Sequence, residues 1–371
     1  DFRSHRLAFV TLPRLRPDID DLPTYKAGQR PVPRADITTF KISSNENPYP
    51  PLPSVLAAIM LAAQDIHRYP DPFSRRLVEA ISAHFDVPEE CIALGTGSVA
   101  VCGQIIAAAA GPGDEVVYAW RSFESYPIWT HISGATSVQV PLLPDESHDL
   151  AGMLAAVNER TRVVFVCNPN NPTGQVVTEE ALVAFLEAVP PDVIVVLDEA
   201  YREFTAGDDV ADGIELFRRF PNVIVLRTFS KAYGLAALRV GFGVAHPRVA
   251  EALRKTATPF GVSTIAEEAA IASLAAEDEL LERVSALVDE RTRVWSALRD
   301  QGWDIHRTEA NFVWLRLGEH TLDFTAACEA AGITVRPFPG EGVRVTVAET
   351  EASDRFIDVA GDFLRAHGPI G

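Results

Sequence analysis

Residues 227–239 read Arg227-Thr228-Phe229-Ser230-Lys231-Ala232-Tyr233-Gly234-Leu235-Ala236-Ala237-Leu238-Arg239. Val223–Thr228 reads as a buried strand that drops into a small-residue turn holding two hydroxyls and a lysine, with an arginine eight residues beyond the lysine. Hydroxyls beside a guanidinium make a phosphate cradle, because arginine presents a planar fork of donors. A lysine held near other cations has a lowered pKa and attacks carbonyls as a free amine. Taken alone, the same residues also fit an ordinary strand-to-turn connection with a surface lysine.

Two upstream stretches repeat the pattern. Asn168-Pro169-Asn170-Asn171-Pro172-Thr173-Gly174 follows the apolar run Arg162–Cys167, and Leu197-Asp198-Glu199-Ala200-Tyr201 ends the run Val193–Asp198. Open α/β sheets bind ligands at the carboxyl ends of their strands. A carboxylate there is costly to bury unless it faces a cation or a donor, although a helix N-cap aspartate would look the same. The Asn-Pro stretch by composition is equally a punctuated loop.

Further outward, Ile92–Leu94, Glu115–Ala119, Ser137–Val140 and Val240–Val244 complete seven strand-like runs. Helical patterns at Val99–Ala110, Phe123–Ile132, Glu179–Glu187 and Pro247–Lys255 lie between them. Strand and helix in alternation predict an α/β fold with a mainly parallel seven-stranded sheet flanked by helices, over residues 41–265. Beyond 265 the pattern changes to one long helix from Ile265 to about Arg299, then strands at Asn311–Leu317, Ile333–Pro337 and Val343–Val347. Residues 266–371 therefore read as a small α+β domain, and the Pro-rich residues 1–40 as an N-terminal arm that completes part of it.

Composition removes whole classes of function. The chain has 371 residues, 33 Lys+Arg and 51 Asp+Glu, for a formal charge of -18, which argues against a nucleic-acid partner. The longest apolar run, Val55 to Ala63, is about half of the roughly 20 residues a membrane span needs. Cys91, Cys102, Cys167 and Cys328 show no paired spacing and read as buried free thiols of a cytoplasmic protein. The histidines are scattered without ligand spacing, so no metal site is expected. Glu46 and Trp314 read as structural.

Gly95-Thr96-Gly97-Ser98-Val99-Ala100 fits the dinucleotide pattern GxGxxA, with Asp114 about 20 residues further on. A nicotinamide-dependent dehydrogenase is therefore a rival class. Against it, Asp114 precedes the strand Glu115–Ala119, whereas a ribose-binding acid follows its strand.

Taken together, the segments resemble the fold type I pyridoxal-phosphate aminotransferases, in the branch holding histidinol-phosphate and aromatic (phenylalanine) enzymes. The resemblance spans Ser44-Asn45-Glu46-Asn47-Pro48, Arg68-Tyr69-Pro70-Asp71, the Asn-Pro loop, Leu197–Tyr201, Thr228–Arg239 and Val343–Thr346. It implies an aspartate-aminotransferase-like fold with pyridoxal 5'-phosphate as cofactor and Lys231 as the residue bound covalently to it. It implies that Asp198 pairs with the pyridine nitrogen, that Asn171 and Tyr201 hold the 3-oxygen, and that Phe123 stacks on the ring. Thr228, Ser230 and Arg239 would hold the phosphate, with Gly97 and Ser98 at a helix N-terminus. Arg344 matches the arginine for the substrate carboxylate. Tyr69 matches a tyrosine that reaches the phosphate of a neighbouring subunit, implying a homodimer with its active sites at the interface.

The resemblance also frames the choice of substrate. Tyr25, in the arm, and Asn47 are the further substrate-binding candidates. The stretch Tyr118–Pro127, with Phe123, looks most like the aromatic enzymes, whereas Asn47 in its segment looks like the histidinol-phosphate ones. A phosphorylated substrate would need extra cations, for which Arg30, Arg34 and Arg121 are candidates. The balance favours an aromatic amino donor with a 2-oxo acid acceptor, and L-histidinol phosphate is the alternative.

Overall fold

The valine-rich runs form strands in the computed structural model, which describes residues 14–16, 19, 20, 22, 28, 29, 31, 33–207, 209–368 and 370. In chain order the strands are β1 (Phe40–Lys41), β2 (Ile92–Gly95), β3 (Glu115–Trp120), β4 (Thr136–Pro141), β5 (Thr161–Cys167) and β6 (Ile194–Asp198). They continue as β7 (Val223–Thr228), β8 (Gly241–Val244), β9 (Phe312–Arg316), β10 (Ile333–Thr334), β11 (Arg336–Phe338) and β12 (Gly342–Thr346).

Strands β2 to β8 make one seven-stranded sheet in the order β2-β8-β7-β6-β5-β3-β4. β8 runs antiparallel to both neighbours, and the other pairs are parallel. All six residues of β7 are buried, as expected for a strand covered on both faces. Alternation along each strand feeds two separate cores. Val163 and Phe165 join the cluster under the helix Ser98–Ala109, while Val164 and Val166 join the cluster on the opposite face.

The second unit is built on the antiparallel sheet β11-β12-β9. The run Ile333–Pro337, which reads as one strand, divides at Val335 into two. β10 pairs in parallel with β1 from the N-terminal segment, and β11 pairs with β12. Trp314 is buried in this unit and donates from Nε1 to Glu146 Oε1 at 2.8 Å.

The expected helix from Ile265 to Arg299 is two helices, Thr264–Ala275 and Glu277–Gln301, parted at Ala276 (φ −112°, ψ 26°). Glu277, Asp278 and Glu279 form the first turn of the second helix, where negative charge complements the helix dipole. This second helix bridges the two cores. Leu280, Val284 and Leu287 pack with the large sheet, and Val294 and Leu298 with the small one.

Much of the arm expected over residues 1–40 lies outside the described residues. All four cysteines are buried and free. Among the described residues no helix is long and apolar enough to cross a membrane.

Candidate active site

Asn171, Asp198 and Thr228 follow or end the neighbouring parallel strands β5, β6 and β7, and so come together at the carboxyl ends of the central strands. They face a cavity of about 430 Å³ closed on its far side by residues of the small sheet. Ser98, Phe123, Tyr201, Ser230, Lys231, Arg239 and Arg344 also line it. Ten of the residues singled out in the sequence thus share one cavity.

The half-buried Lys231 donates from Nζ to the carbonyl oxygen of Ser44 at 3.0 Å. Burial, and then the positive charge of Arg344, lower its amine to about 7, with Glu46 opposing the shift. The free-amine form is therefore well populated at neutral pH.

Asp198 is 3% exposed. Its Oδ2 accepts from the Tyr126 hydroxyl at 2.7 Å, and its Oδ1 from the Ala200 N–H at 3.3 Å. Burial raises its pKa, and the Tyr126 hydrogen bond works against that rise. The partners that support this buried carboxylate are neutral donors, so it is stabilised further by a cationic N–H brought in by a bound group. The chemistry of a protonated pyridine fits it.

At the other end of the cavity Arg239 sits at a left-handed φ of 57°. Its Nη1 donates to Ser230 Oγ at 3.2 Å, and the Ser230 N–H donates to Thr228 Oγ1 at 3.1 Å. Gly97 (φ 84°) precedes the helix Ser98–Ala109, and a Cβ there would overlap the Arg239 guanidinium. A glycine, a helix N-terminus, two hydroxyls and an arginine converging on one point fit a phosphate monoester.

Between these ends Tyr201 accepts from Asn45 Nδ2 at 2.9 Å through its hydroxyl. Its ring centroid lies 5.9 Å from Lys231 Nζ. Phe123 presents its ring to the cavity and meets Tyr126 edge-on at 5.6 Å. Arg344 donates to Asn171 Oδ1 at 2.5 Å and to the Ser43 carbonyl oxygen at 2.9 Å.

Four candidates stand elsewhere. Gly97 supports the phosphate end from behind Arg239 and does not line the cavity. The Asn47 amide donates to the Ala232 carbonyl oxygen at 2.9 Å and accepts from the Tyr49 N–H, so it braces a turn outside the cavity. Tyr69 is 84% exposed and meets Phe260 at a tilt of 34°, with ring centroids 4.8 Å apart. Tyr25 lies outside the described residues.

Asn45, Tyr126, Arg336 and Phe338 are the residues that local reading missed. Asn45 lies in the Ser44–Pro48 segment and Tyr126 in Tyr118–Pro127, where neighbouring residues drew the attention, while Arg336 and Phe338 come from a segment with no motif of its own. Tyr126 lies three residues beyond Phe123, at the start of the helix Ser125–Ser133, where its hydroxyl gives no local sign of a distant carboxylate partner.

The dinucleotide reading is corrected by Asp114. This residue precedes β3, at the end of the sheet away from the cavity, where it pairs with Arg162 at 3.0 Å and accepts from the Gly111 N–H. The extra cations considered for a phosphorylated substrate are engaged too. Arg34 pairs with Asp36, Arg121 holds Glu341 through two nitrogens, and Arg30 lies outside the described residues.

Together the sheet and this cavity define a pyridoxal-phosphate enzyme of fold type I. Residues 37–359 match the family described as aminotransferase class I and II, and the chain belongs to that family. It is 60% identical over 355 residues to the aromatic amino acid aminotransferase of Streptomyces avermitilis, covering 96% of this chain and 99% of that one. It is 50% identical over 348 residues to that of Rhodococcus jostii, covering 94% and 95%. Among solved structures it is similar to the histidinol-phosphate aminotransferase of Sinorhizobium meliloti in complex with pyridoxal-5'-phosphate. That match has a TM-score of 0.85 and 32% identity, and covers 96% of this chain and 98% of the other.

Proposed function

We propose that this aminotransferase moves the amino group of an aromatic amino acid, of the phenylalanine, tyrosine or tryptophan type, to a 2-oxo acid. The observation that carries the substrate class is the near-full-length identity of 60% to an aromatic amino acid aminotransferase. The pairing of Arg34 and Arg121 with carboxylates agrees with it, because a phosphorylated substrate would need uncommitted cations. L-Histidinol phosphate is the second reading, supported by the likeness to the S. meliloti enzyme.

In this reading Arg239, Ser230, Thr228 and the helix N-terminus at Ser98 hold the cofactor's phosphate, with Gly97 letting Arg239 approach it. Asp198 holds the proton on the pyridine nitrogen, and Tyr126 keeps that carboxylate oriented. Tyr201 and Asn171 orient the 3-oxygen, and Phe123 covers the ring. Bound there, pyridoxal phosphate supplies an electron sink for the bonds at the substrate's α-carbon. Arg344 draws in the substrate carboxylate with its planar fork. Lys231 takes the α-proton at Nζ and delivers it again, a task suited to an amine whose pKa lies near neutrality.

The assembly in this reading is a homodimer. Leu56, Met60, Leu61, Ile66, Tyr69 and Phe73 are all exposed along one stretch of the large unit, an apolar surface suited to a second copy of the chain. Tyr69 then reaches the phosphate end of the neighbouring cavity. The four buried free thiols favour a reducing compartment, and we take it to be the cytoplasm.

The test is steady-state kinetics with 2-oxoglutarate as acceptor and L-phenylalanine or L-histidinol phosphate as donor. A higher kcat/KM for phenylalanine is expected. A preference for histidinol phosphate would replace this reading with the second.

A further inference from the structure

Arg336 stands directly opposite Arg344 in the β11–β12 register, so the two cations are cross-strand partners in the wall of the active-site cavity. They differ in how they are engaged. Arg336 Nη2 donates to Glu124 Oε2 at 2.7 Å, an ion pair that ties the small sheet to the segment following β3. The Arg336 guanidinium also lies over the Phe338 ring, 5.2 Å from its centroid, which fixes its plane. The side chain of Arg336 is only 10% exposed.

Glu124, Arg336 and Phe338 line a second cavity as well, of about 970 Å³. The pair is therefore a partition between the two spaces. Arg121 approaches the other oxygen of Glu124 at 4.0 Å, but it is held by Glu341. Arg121 and Arg336 thus meet Glu124 and Glu341, two cations against two carboxylates.

A carboxylate carries one negative charge and is matched by one guanidinium fork, whereas a phosphate monoester carries up to two and takes a second cation. We propose that Glu124 is a specificity-determining residue. By occupying Arg336 it leaves Arg344 as the cation for the substrate's anionic end, which selects amino acids with a carboxylate over donors with a phosphate there. The selection works by repulsion as much as attraction, since a phosphate drawn towards Arg336 meets the Glu124 carboxylate first. This rests on the proposed aromatic function and gives it a structural determinant.

The experiment uses the holoenzyme in a single turnover without acceptor, which removes the acceptor's own charge from the comparison. The second-order rate constants for L-histidinol phosphate and L-phenylalanine are measured, and their ratio is the readout. In Glu124→Gln the ratio rises in favour of histidinol phosphate by roughly tenfold or more, within the range that one site's contacts can discriminate. In Arg336→Gln it falls, because Glu124 then faces the phosphate without its partner. Glu124→Asp, which keeps the charge, stays near the wild-type ratio.

A general loss of fold would move both substrates together and leave the ratio unchanged. An unchanged ratio in Glu124→Gln, or shifts of the same sign in Glu124→Gln and Arg336→Gln, would overturn the proposal. Should Glu124→Gln not fold, the fall expected in Arg336→Gln decides alone. A wild-type enzyme that prefers histidinol phosphate would defeat the aromatic reading, while the opposed signs of the two variants would still test Glu124.

Discussion

Tyr126, wholly buried, donates its hydroxyl proton at 2.7 Å to Oδ2 of Asp198, a carboxylate that borders the cavity. The bond favours the charged form of the carboxylate at the end of β6, opposing the desolvation that pushes its pKa up. Tyr126→Phe removes one donor from a buried carboxylate, an interaction of about 1.5–3 kcal/mol when one partner is charged. We expect kcat to fall roughly tenfold or more, with a shift in the visible absorption of the bound cofactor. An unaltered spectrum and rate would show that Tyr126 only fills space.

Lys231 gives a pH dependence whose sign is fixed. Its amine is lowered to about 7, chiefly by burial and then by Arg344. Only the unprotonated amine attacks a carbonyl, so capture of pyridoxal phosphate by the cofactor-free protein is fast above about pH 7. Below that the rate falls roughly tenfold per pH unit, following the fraction of free amine. Stopped-flow absorbance across pH 5–9, values chosen to bracket that midpoint, reads this directly. A midpoint near the ordinary lysine value would contradict it.

Gly97 is irreplaceable for two reasons, its φ of 84° and the Arg239 guanidinium where a Cβ would stand. Gly97→Ala strains the backbone and displaces Arg239 from Ser230. We expect the dissociation constant for pyridoxal phosphate to rise by roughly tenfold or more, in keeping with a strain of about 1–3 kcal/mol. Equilibrium titration of the cofactor-free protein measures it, and an unchanged constant would remove Gly97 from the phosphate end.

Leu61 is 68% exposed on the helix Pro53–Ala62. If a second copy covers this surface, Leu61→Glu buries a charge without a partner at the interface. Sedimentation velocity should show the wild type as a dimer and the variant shifted towards monomer. A monomeric wild type would contradict the homodimer.

Much of this was legible in the sequence because the large sheet is written locally. Its central strands are short apolar runs, and the chemistry-bearing residues Asn171, Asp198 and Lys231 end such runs or follow them within a few residues. What the sequence hides is what the fold assembles from afar. Asn45 meets Tyr201 across 156 residues of chain, and Arg336 meets Glu124 across 212. Neither has a spacing that could announce it. The break at Ala276 was hidden for a different reason. Alanine is the best helix former, so no breaker residue marks the point where the chain leaves one core to span both. Asn47 was misleading because an asparagine in a motif also serves to tie down a turn.

The most direct test of the central claim is a single turnover of the purified holoenzyme with L-phenylalanine and no 2-oxo acid. The account predicts one equivalent of phenylpyruvate released per chain, loss of the protein's visible absorption band, and recovery of that band on adding a 2-oxo acid. The same addition to Lys231→Ala should give neither product nor recovery. Release of product by the Lys231→Ala protein at the wild-type rate, or no release by the wild type, would contradict it.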